Sequence, residues 1–211
     1  MSKFTLAVVR HGISLANERG LVSGSTDVPL TNAGRVALRR LRTCVEYPET
    51  DRYYSSDLSR ARDTFKVLYD GKATLDGIRP EFRELHFGSL EYKPGPPGGL
   101  KTVLLAWLSG QTACGVEPYS EFSRRLVEGT KRLSEDCLRE GARSATVVTH
   151  SCVIRTLLVE LGGFPKERWM TFPAPNGLGY VMDLDCAGPR PRLIEVLPIE
   201  DSDTKRAMAV D

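Results

Sequence analysis

The chain has 211 residues, of which 41% are hydrophobic and 27% are charged, and its formal net charge is +2 at pH 7. This composition is typical of a soluble globular protein with one large domain, and it gives no general attraction to nucleic acid or to a membrane surface. No stretch of the sequence approaches the roughly 18 apolar residues that a membrane-spanning helix needs.

The cysteines and the first residues indicate the cellular compartment. Five cysteines are scattered along the chain without a CxxC spacing. This distribution argues against a disulfide framework or a zinc site and favours a reducing environment. The opening segment MSKFTLAVV holds an apolar run that is too short for a signal peptide. We therefore expect a cytoplasmic protein.

Two apolar runs predict buried strands of a parallel sheet. Residues 4–9 and residues 144–149 have the apolar character of strands that are covered on both faces. A histidine follows each run, His11 after the first and His150 after the second. Further strands are predicted at residues 53–55, 180–184 and 192–197.

Apolar residues at helical spacing predict the helices between these strands, the first of which Thr31 can cap. These residues are Ala37, Leu41 and Val45; Leu58, Ala61, Phe65 and Leu68; Phe122, Leu126, Leu133 and Cys137; and Val153, Ile154, Leu157, Leu158 and Leu161. Residues 101–109 add a short helical pattern after a loop rich in Pro and Gly at residues 92–100.

The alternation of strands and helices predicts a three-layer α/β/α sandwich with a mostly parallel central sheet. Such sheets hold their functional sites at the carboxyl ends of the strands, where both histidines fall. We expect one domain over residues 1–198, with a cap or insertion over the site at about residues 91–118. A polar C-terminal tail is expected at residues 199–211.

Arginine and histidine side chains gather at the predicted strand ends. Arg10 precedes His11, and Arg60 lies near a helix start, where its charge opposes the helix dipole unless an anionic partner is present. Together with His150 these groups would form a cationic pocket suited to phosphate, although a solvated basic face or a salt bridge is the simpler alternative. Nearby cations disfavour imidazolium, so His11 would stay neutral and could act as a nucleophile.

Five motifs occur in an order that resembles the histidine phosphatase superfamily, in its phosphoglycerate mutase-like branch. They are VVRHGISLAN, SGSTDVPLTNAG, SSDLSRARDT, ELHFGSLE and VVTHSCVIR, and the resemblance runs over about residues 6–176. It implies a phosphoglycerate mutase-like fold and a phosphomonoesterase that works through a phosphohistidine intermediate. No metal and no cofactor are expected, because the cationic side chains would carry the charge of the phosphoryl group.

The resemblance also implies a role for individual residues. His11 would be the phosphorylated residue, Glu84 the proton donor, and His150 the third member of the catalytic set. The implied phosphate-binding residues are Arg10, Asn17, Ser23, Gly24, Arg60 and Ser151.

Three positions depart from the pattern of the family. Ile13 stands where Glu is frequent, Ser151 stands where Gly commonly follows the second histidine, and Tyr92 stands where Gly often follows the motif acid. We expect activity to survive these changes, whereas the shape of the pocket and its substrate stay open. For His86, the remaining histidine, a structural or pocket-wall role is expected.

A rival signature is present at residues 137–144, where CLREGARS has the Cys-x5-Arg-Ser spacing of cysteine-dependent phosphatases. That chemistry needs the cysteine in a loop between a strand and a helix. Here Cys137 lies on the apolar face of a predicted helix, and a strand follows. The sequence favours a core cysteine with a helix that ends near Gly141.

The alternatives within the family concern the reaction. A phosphoglycerate mutase needs an enclosed pocket with added basic groups, and the segment at residues 91–118 offers only Lys93 and Lys101. A phosphatase of the α-ribazole-phosphate kind or one of broad specificity is therefore favoured. The non-enzymatic alternative is a pseudophosphatase that binds a phosphorylated ligand, although Arg10, His11 and Glu84 are all present. The expected partner is a small phosphate ester, and the oligomeric state, a dimer included, is left open.

Overall fold

The computed structural model describes residues 3–200. The strands are β1 (Lys3–Arg10), β2 (Arg52–Ser55), β3 (Gly77–Ile78), β4 (Ser144–Thr149), β5 (Gly179–Asp185) and β6 (Arg192–Ile199). The α-helices are α1 (Leu15–Glu18), α2 (Asn32–Cys44), α3 (Ser59–Leu68), α4 (Gly99–Leu108), α5 (Tyr119–Arg139) and α6 (Ser151–Gly162). Short 3-10 helices lie at Pro80–Phe82, Gly88–Leu90 and Lys166–Thr171.

The six strands form one sheet in the order β3-β2-β4-β1-β5-β6. Strands β3, β2, β4 and β1 pair in parallel, whereas β5 is antiparallel to both of its neighbours. The predicted mostly parallel sheet is thus confirmed. Strands β1 and β4 lie at its centre, with Val9 opposite Val148 and Arg10 opposite Thr149. Their carboxyl ends therefore meet at one edge of the sheet.

The two faces of the sheet are covered by separate apolar cores, which makes the predicted three layers. Leu6, Val8 and Val147 pack into the larger core with residues of α4, α5 and α6. Val9 and Val148 point to the opposite face, where the smaller core contains residues of α2 and α3. Consecutive strand residues alternate between the faces, so a strand covered on both sides must be apolar throughout.

The predicted helix ends agree with local chemistry. The Thr31 side chain accepts a hydrogen bond from the Gly34 N–H at 2.9 Å and caps α2, as predicted. Cys137 is a buried residue of α5, Gly141 after that helix has a φ of +82°, and β4 follows. This arrangement confirms the core-cysteine interpretation and excludes the phosphate loop that a cysteine-dependent phosphatase requires.

Several boundaries differ from the prediction. Helix α4 begins at Gly99, inside the segment predicted as a loop, and it packs Trp107 into the larger core. Strand β6 continues to Ile199, which is buried, so the domain extends past the predicted boundary at residue 198. The rest of the predicted tail, from residue 201 on, lies outside the described residues. Among residues 3–200, no helix combines the length and apolarity needed to cross a membrane.

Candidate active site

The predicted cationic residues converge at the carboxyl ends of β1, β2 and β4. His11 follows β1, and its N–H donates to the carbonyl of Thr149 at 2.9 Å, which ties it to the end of β4. His150 directly follows Thr149 and is the N-cap residue of helix α6. The His11 and His150 rings lie 5.2 Å apart between centroids, and both side chains are buried. Ser56, after β2, shares a hydrogen bond of 2.7 Å with His150 Nε2.

The orientation of the His11 ring defines its tautomer. Nδ1 lies 2.6 Å from the carbonyl oxygen of Gly12, and a carbonyl can only accept, so Nδ1 carries the proton. Burial lowers the pKa of His11 well below 6.5, and the charges of Arg60 and Arg10 lower it further. The neutral imidazole therefore keeps its lone pair on Nε2, the atom that can attack phosphorus.

Arg60 is held by the loop at residues 23–26. Its guanidinium donates to the carbonyl of Gly24 at 2.6 Å and to that of Thr26 at 2.8 Å, and its side chain is fully buried. Desolvation is the largest influence on Arg60 and lowers its pKa, and Glu84 is the largest opposing charge. These two carbonyls fix the guanidinium fork, and within residues 3–200 no carboxylate contacts it directly.

Unpartnered polar atoms cluster at this end of the sheet. Among residues 3–200, six buried side-chain nitrogen or oxygen atoms have no hydrogen-bond partner. Four of the six belong to predicted site residues: Arg10 Nε, Ser23 Oγ, Arg60 Nε and His150 Nδ1. Buried polar groups are normally paired, because an unpaired one costs roughly 1–3 kcal/mol. Their concentration beside His11 marks a site for a ligand rich in oxygen.

Glu84 lies next to this pocket, where the structure also places Ser151. Oε2 of Glu84 accepts hydrogen bonds from Ser151 Oγ at 3.3 Å and from the Cys152 N–H at 3.2 Å. Oε1 accepts from the Leu85 N–H at 3.0 Å, and the side chain is buried. Burial lowers the pKa of Arg10, and Glu84 is the largest opposing charge. The carboxyl group is therefore fixed within electrostatic reach of both arginines.

Asn17 has a local role that the sequence interpretation did not include. Its Oδ1 accepts from the Ser14 N–H at 3.1 Å and from Ser14 Oγ at 3.0 Å, which forms a capping box at the start of α1. The acceptor end of this exposed side chain is thus engaged, and Nδ2 is the end that can donate to a phosphate. The Ser-x-x-Asn spacing was the signal for this cap.

Glu91 is a functional candidate that sequence reasoning missed. Its partly buried carboxylate accepts four backbone N–H groups at 2.8–3.2 Å, those of Gly24, Ser25, Thr26 and Phe87. Burial raises the pKa of Glu91, but these hydrogen bonds outweigh burial and leave the pKa lowered. The same loop presents the carbonyls that hold Arg60, so Glu91 fixes the guanidinium through the loop.

The departures from the family pattern have defined places. Tyr92 has a φ of +56°, the left-handed conformation that glycine adopts without strain, which explains a preference for Gly at that position. The carbonyl of Ile13 accepts from the Thr31 N–H, so its backbone joins the start of α2 to the strand end. His86 lines an open cleft of about 530 Å³ beside Glu84.

Comparisons with known proteins agree with this arrangement. The model of the Histidine phosphatase superfamily (branch 1) matches residues 6–196. An adenosylcobalamin/alpha-ribazole phosphatase of Salmonella typhimurium is 28% identical over 191 residues, which cover 87% of this chain and 91% of the relative. The crystal structure of the alpha-ribazole phosphatase from Shigella flexneri aligns with a TM-score of 0.71 at 27% identity, covering 92% of this chain and 96% of the other.

A third comparison concerns the fold alone. The crystal structure of phosphoglycerate mutase from Bacillus anthracis aligns with a TM-score of 0.66 at 23% identity, over 87% of this chain and 88% of the mutase. The predicted phosphoglycerate mutase-like fold is confirmed by this match. Because the family model extends from the first central strand into β6 and encloses both histidine-bearing strand ends, this chain belongs to branch 1 of the histidine phosphatase superfamily.

Proposed function

We propose that the protein is a metal-independent phosphomonoesterase that acts on a small phosphorylated metabolite through a phosphohistidine at His11. The observation that carries this proposal is the group of four unpartnered buried atoms on Arg10, Ser23, Arg60 and His150. A phosphoryl group offers several strong acceptor oxygens at once, and two guanidinium groups match its charge and shape.

The first half-reaction transfers the phosphoryl group to the enzyme. Nε2 of His11 attacks phosphorus with its lone pair while the ester P–O bond breaks. Arg10, Arg60 and His150 stabilise the charge on the equatorial oxygens of the transition state. Glu84 donates a proton to the departing alkoxide, so the alcohol leaves neutral and the carboxylate remains.

The second half-reaction returns the enzyme to its starting state. The Glu84 carboxylate takes a proton from water as the water oxygen attacks the phosphohistidine. The P–N bond then breaks, inorganic phosphate leaves, and the electron pair returns to Nε2. The proton that Nδ1 shares with the Gly12 carbonyl is kept throughout, so the ring is reset for another cycle.

The charge distribution of the pocket supports the metal-independent mechanism. Two arginines lie near His11, and their charges act on both histidines. A divalent cation placed among these groups would be repelled by them, while the guanidinium groups already supply positive charge to the phosphoryl oxygens. Turnover of p-nitrophenyl phosphate is therefore expected to continue in EDTA, and its loss there would contradict this mechanism.

The direct test is to trap the phosphoenzyme during turnover. We expect a 32P label that is stable to alkali and labile to acid, located on His11, absent from His11→Ala and present in the matched variant His86→Ala. The His11→Ala variant should also lack p-nitrophenyl phosphate turnover. A label on any other side chain would overturn the mechanism. An inert wild-type enzyme would favour the pseudophosphatase that only binds phosphorylated ligands.

Two further expectations belong to this proposal. The names of the relatives make α-ribazole phosphate one compound to include in a screen of phosphorylated metabolites. A cytoplasmic location remains an expectation that rests on the scattered cysteines. Incubation with 3-phosphoglycerate separates the two reaction types. Release of inorganic phosphate indicates the phosphatase, whereas formation of 2-phosphoglycerate indicates the mutase.

A further inference from the structure

Glu84, the proposed proton donor, lines an open cleft that can hold the leaving group of a substrate. The cleft volume of about 530 Å³ falls in the range of small-molecule sites, and Ser25, Arg83, His86, Glu117 and Arg125 are among its lining residues. Two arginines in the wall suggest at first a site for a second anionic group. Their hydrogen bonds show otherwise.

Arg125 is occupied by protein acceptors. Its Nε and Nη2 donate to the carboxylate of Glu117 at 3.1 and 2.9 Å. Its Nη1 donates to the carbonyl oxygens of Glu81 at 2.7 Å and Arg83 at 2.9 Å. The guanidinium is neutralised by one carboxylate and satisfied by two carbonyls, so its role in the wall is to bind helix α5 to the segment before Glu84.

Arg83 is occupied in a similar way. Its Nε donates to both carboxylate oxygens of Asp57, at 2.9 and 3.1 Å, and its Nη2 forms a second contact with the same carboxylate. Such a two-pronged pair holds the guanidinium in one orientation and cancels its charge. The positive charges in the wall of the cleft are thus matched by Asp57 and Glu117.

The phosphoryl pocket has the opposite character. In the described part of the chain, the hydrogen bonds of Arg10 and Arg60 go to backbone carbonyls, those of Ala174, Gly24 and Thr26. The guanidinium of Arg155 lies over the ring of Trp169, 5.2 Å from its centroid, and Arg155 Nε donates to the Phe172 carbonyl. Unneutralised positive charge is therefore concentrated where the transferred phosphoryl group binds and not where the rest of the substrate lies.

Ser25 and His86 add a hydroxyl and an imidazole group to the wall of the cleft. Ser25 Oγ shares a hydrogen bond of 2.6 Å with His86 Nδ1 and lies 3.3 Å from Glu91 Oε1, to which it can donate. These two hydrogen bonds fix the orientation of the His86 ring and leave Nε2 as the other polar atom of the ring. Hydroxyl and imidazole groups are suited to hydroxyl groups on a substrate, because each can donate or accept.

We infer that the enzyme selects phosphomonoesters whose leaving alcohol is uncharged and bears hydroxyl groups, and that it discriminates against alcohols with a carboxylate or a second phosphate. An anionic leaving group would lose hydration in this cleft, where the guanidinium groups of Arg83 and Arg125 are already paired with carboxylates. The inference rests on the proposed phosphatase function and assigns the substrate class of that same site.

The test uses two substrates that differ in one group. Glycerol 3-phosphate carries a CH2OH where 3-phosphoglycerate carries a carboxylate, so their leaving alcohols have nearly equal size and different charge. We expect kcat/KM of the wild-type enzyme to be about tenfold or more higher for glycerol 3-phosphate, the size expected of one unmatched charge at this range. Equal values, or a preference for 3-phosphoglycerate, would overturn the inference.

A second test uses variants that remove the carboxylate partners of Arg83 and Arg125. Glu117→Gln leaves the charge of Arg125 unmatched, and Asp57→Asn does the same for Arg83. Each variant should therefore raise the ratio of kcat/KM for 3-phosphoglycerate to kcat/KM for glycerol 3-phosphate about tenfold. The control Glu128→Gln changes net charge equally on the exposed face of α5, where Glu128 meets Arg124, and should leave the ratio unchanged. An equal shift in the control, or no shift in either wall variant, contradicts the inference.

The two levels of failure are distinguishable. If the proposed phosphatase function is wrong, the wild-type enzyme will hydrolyse neither p-nitrophenyl phosphate nor glycerol 3-phosphate nor 3-phosphoglycerate. Failure of the substrate-class inference alone would appear as active turnover of p-nitrophenyl phosphate without the expected preference. Circular dichroism of each variant verifies that a change in selectivity comes from a folded protein.

Discussion

Glu84 offers the sharpest prediction at the scale of single residues. Its carboxyl group is fixed by Ser151 Oγ and by the N–H groups of Leu85 and Cys152, and the proposed mechanism uses it to protonate the leaving oxygen. Glu84→Gln keeps the size of the side chain and removes the acid. We expect kcat for an alkyl phosphate to fall roughly 100- to 10,000-fold, with a much smaller loss for p-nitrophenyl phosphate.

The reason for this difference is the basicity of the leaving group. A phenolate leaves without much help from an acid, whereas an alkoxide must be protonated as the P–O bond breaks. Initial rates with glycerol 3-phosphate and p-nitrophenyl phosphate provide the measurement. Equal losses for the two esters would show that Glu84 holds the site together instead of donating a proton.

The residues at the strand ends were predictable because each carries its own signal. Arg10, His11 and His150 follow apolar runs that predict buried strands, and Arg60 stands where a cation opposes the helix dipole. Glu91 closes the ELHFGSLE motif, but neither an apolar run nor a helix start marks its role, because its contacts are with backbone N–H groups of a loop far away in the sequence. Loop conformation determines those contacts, and it cannot be read from residue types.

At the scale of elements, the loop at residues 23–26 depends on Glu91. Glu91→Gln replaces one acceptor oxygen with an NH2 group that faces backbone donors, so N–H groups now held by the carboxylate lose their acceptor. The loop would then hold Arg60 less firmly through the carbonyls of Gly24 and Thr26. We expect the inhibition constant of inorganic phosphate to rise about tenfold or more.

A titration of enzyme inhibition by inorganic phosphate, with p-nitrophenyl phosphate as the reporter, measures this effect. Arg60→Lys provides the comparison, because an ammonium group lacks the fork that the loop carbonyls hold, and its phosphate affinity should fall as well. The double variant should lose less than the sum of the two single losses, since both act on one guanidinium. Full additivity would place Glu91 outside the phosphate site.

The longer elements followed from periodicity, and the shorter ones did not. Helices α2, α3, α5 and α6 each present enough turns for an apolar face to be recognised. Helix α1 has four residues and β3 has two, too few for any period to appear. The antiparallel direction of β5 could not be predicted from the sequence pattern either, because the apolar pattern of a strand does not depend on the direction in which it pairs.

At the scale of the whole molecule, the two buried histidines make stability depend on pH. Burial and neighbouring charges lower the pKa of His11 and His150 well below 6.5 in the folded state. As pH falls below 6.5, the unfolded chain binds protons that the folded chain does not, so the free energy of unfolding decreases. The slope should approach about 2.7 kcal/mol per pH unit, from roughly 1.36 kcal/mol for each histidine.

Urea denaturation between pH 7.5 and 5 measures this slope above the range where most carboxylates titrate. His150→Gln should reduce the slope by about half, since one of the two groups no longer titrates in either state. A slope that is unchanged in this variant would mean that His150 is protonated in the folded protein, contrary to its buried position.

The pairing of β1 with β4 links the two histidines across most of the chain, through the hydrogen bond from the His11 N–H to Thr149. Contacts between segments so distant in sequence form late in folding, because closing the long intervening loop costs entropy first. The first half of the polypeptide holds His11 with Arg10 and Arg60, but His150, which completes the proposed phosphoryl pocket, comes from the second half. Catalytic competence is therefore a property that the newly made chain acquires in its final steps, after β4 has left the ribosome and docked.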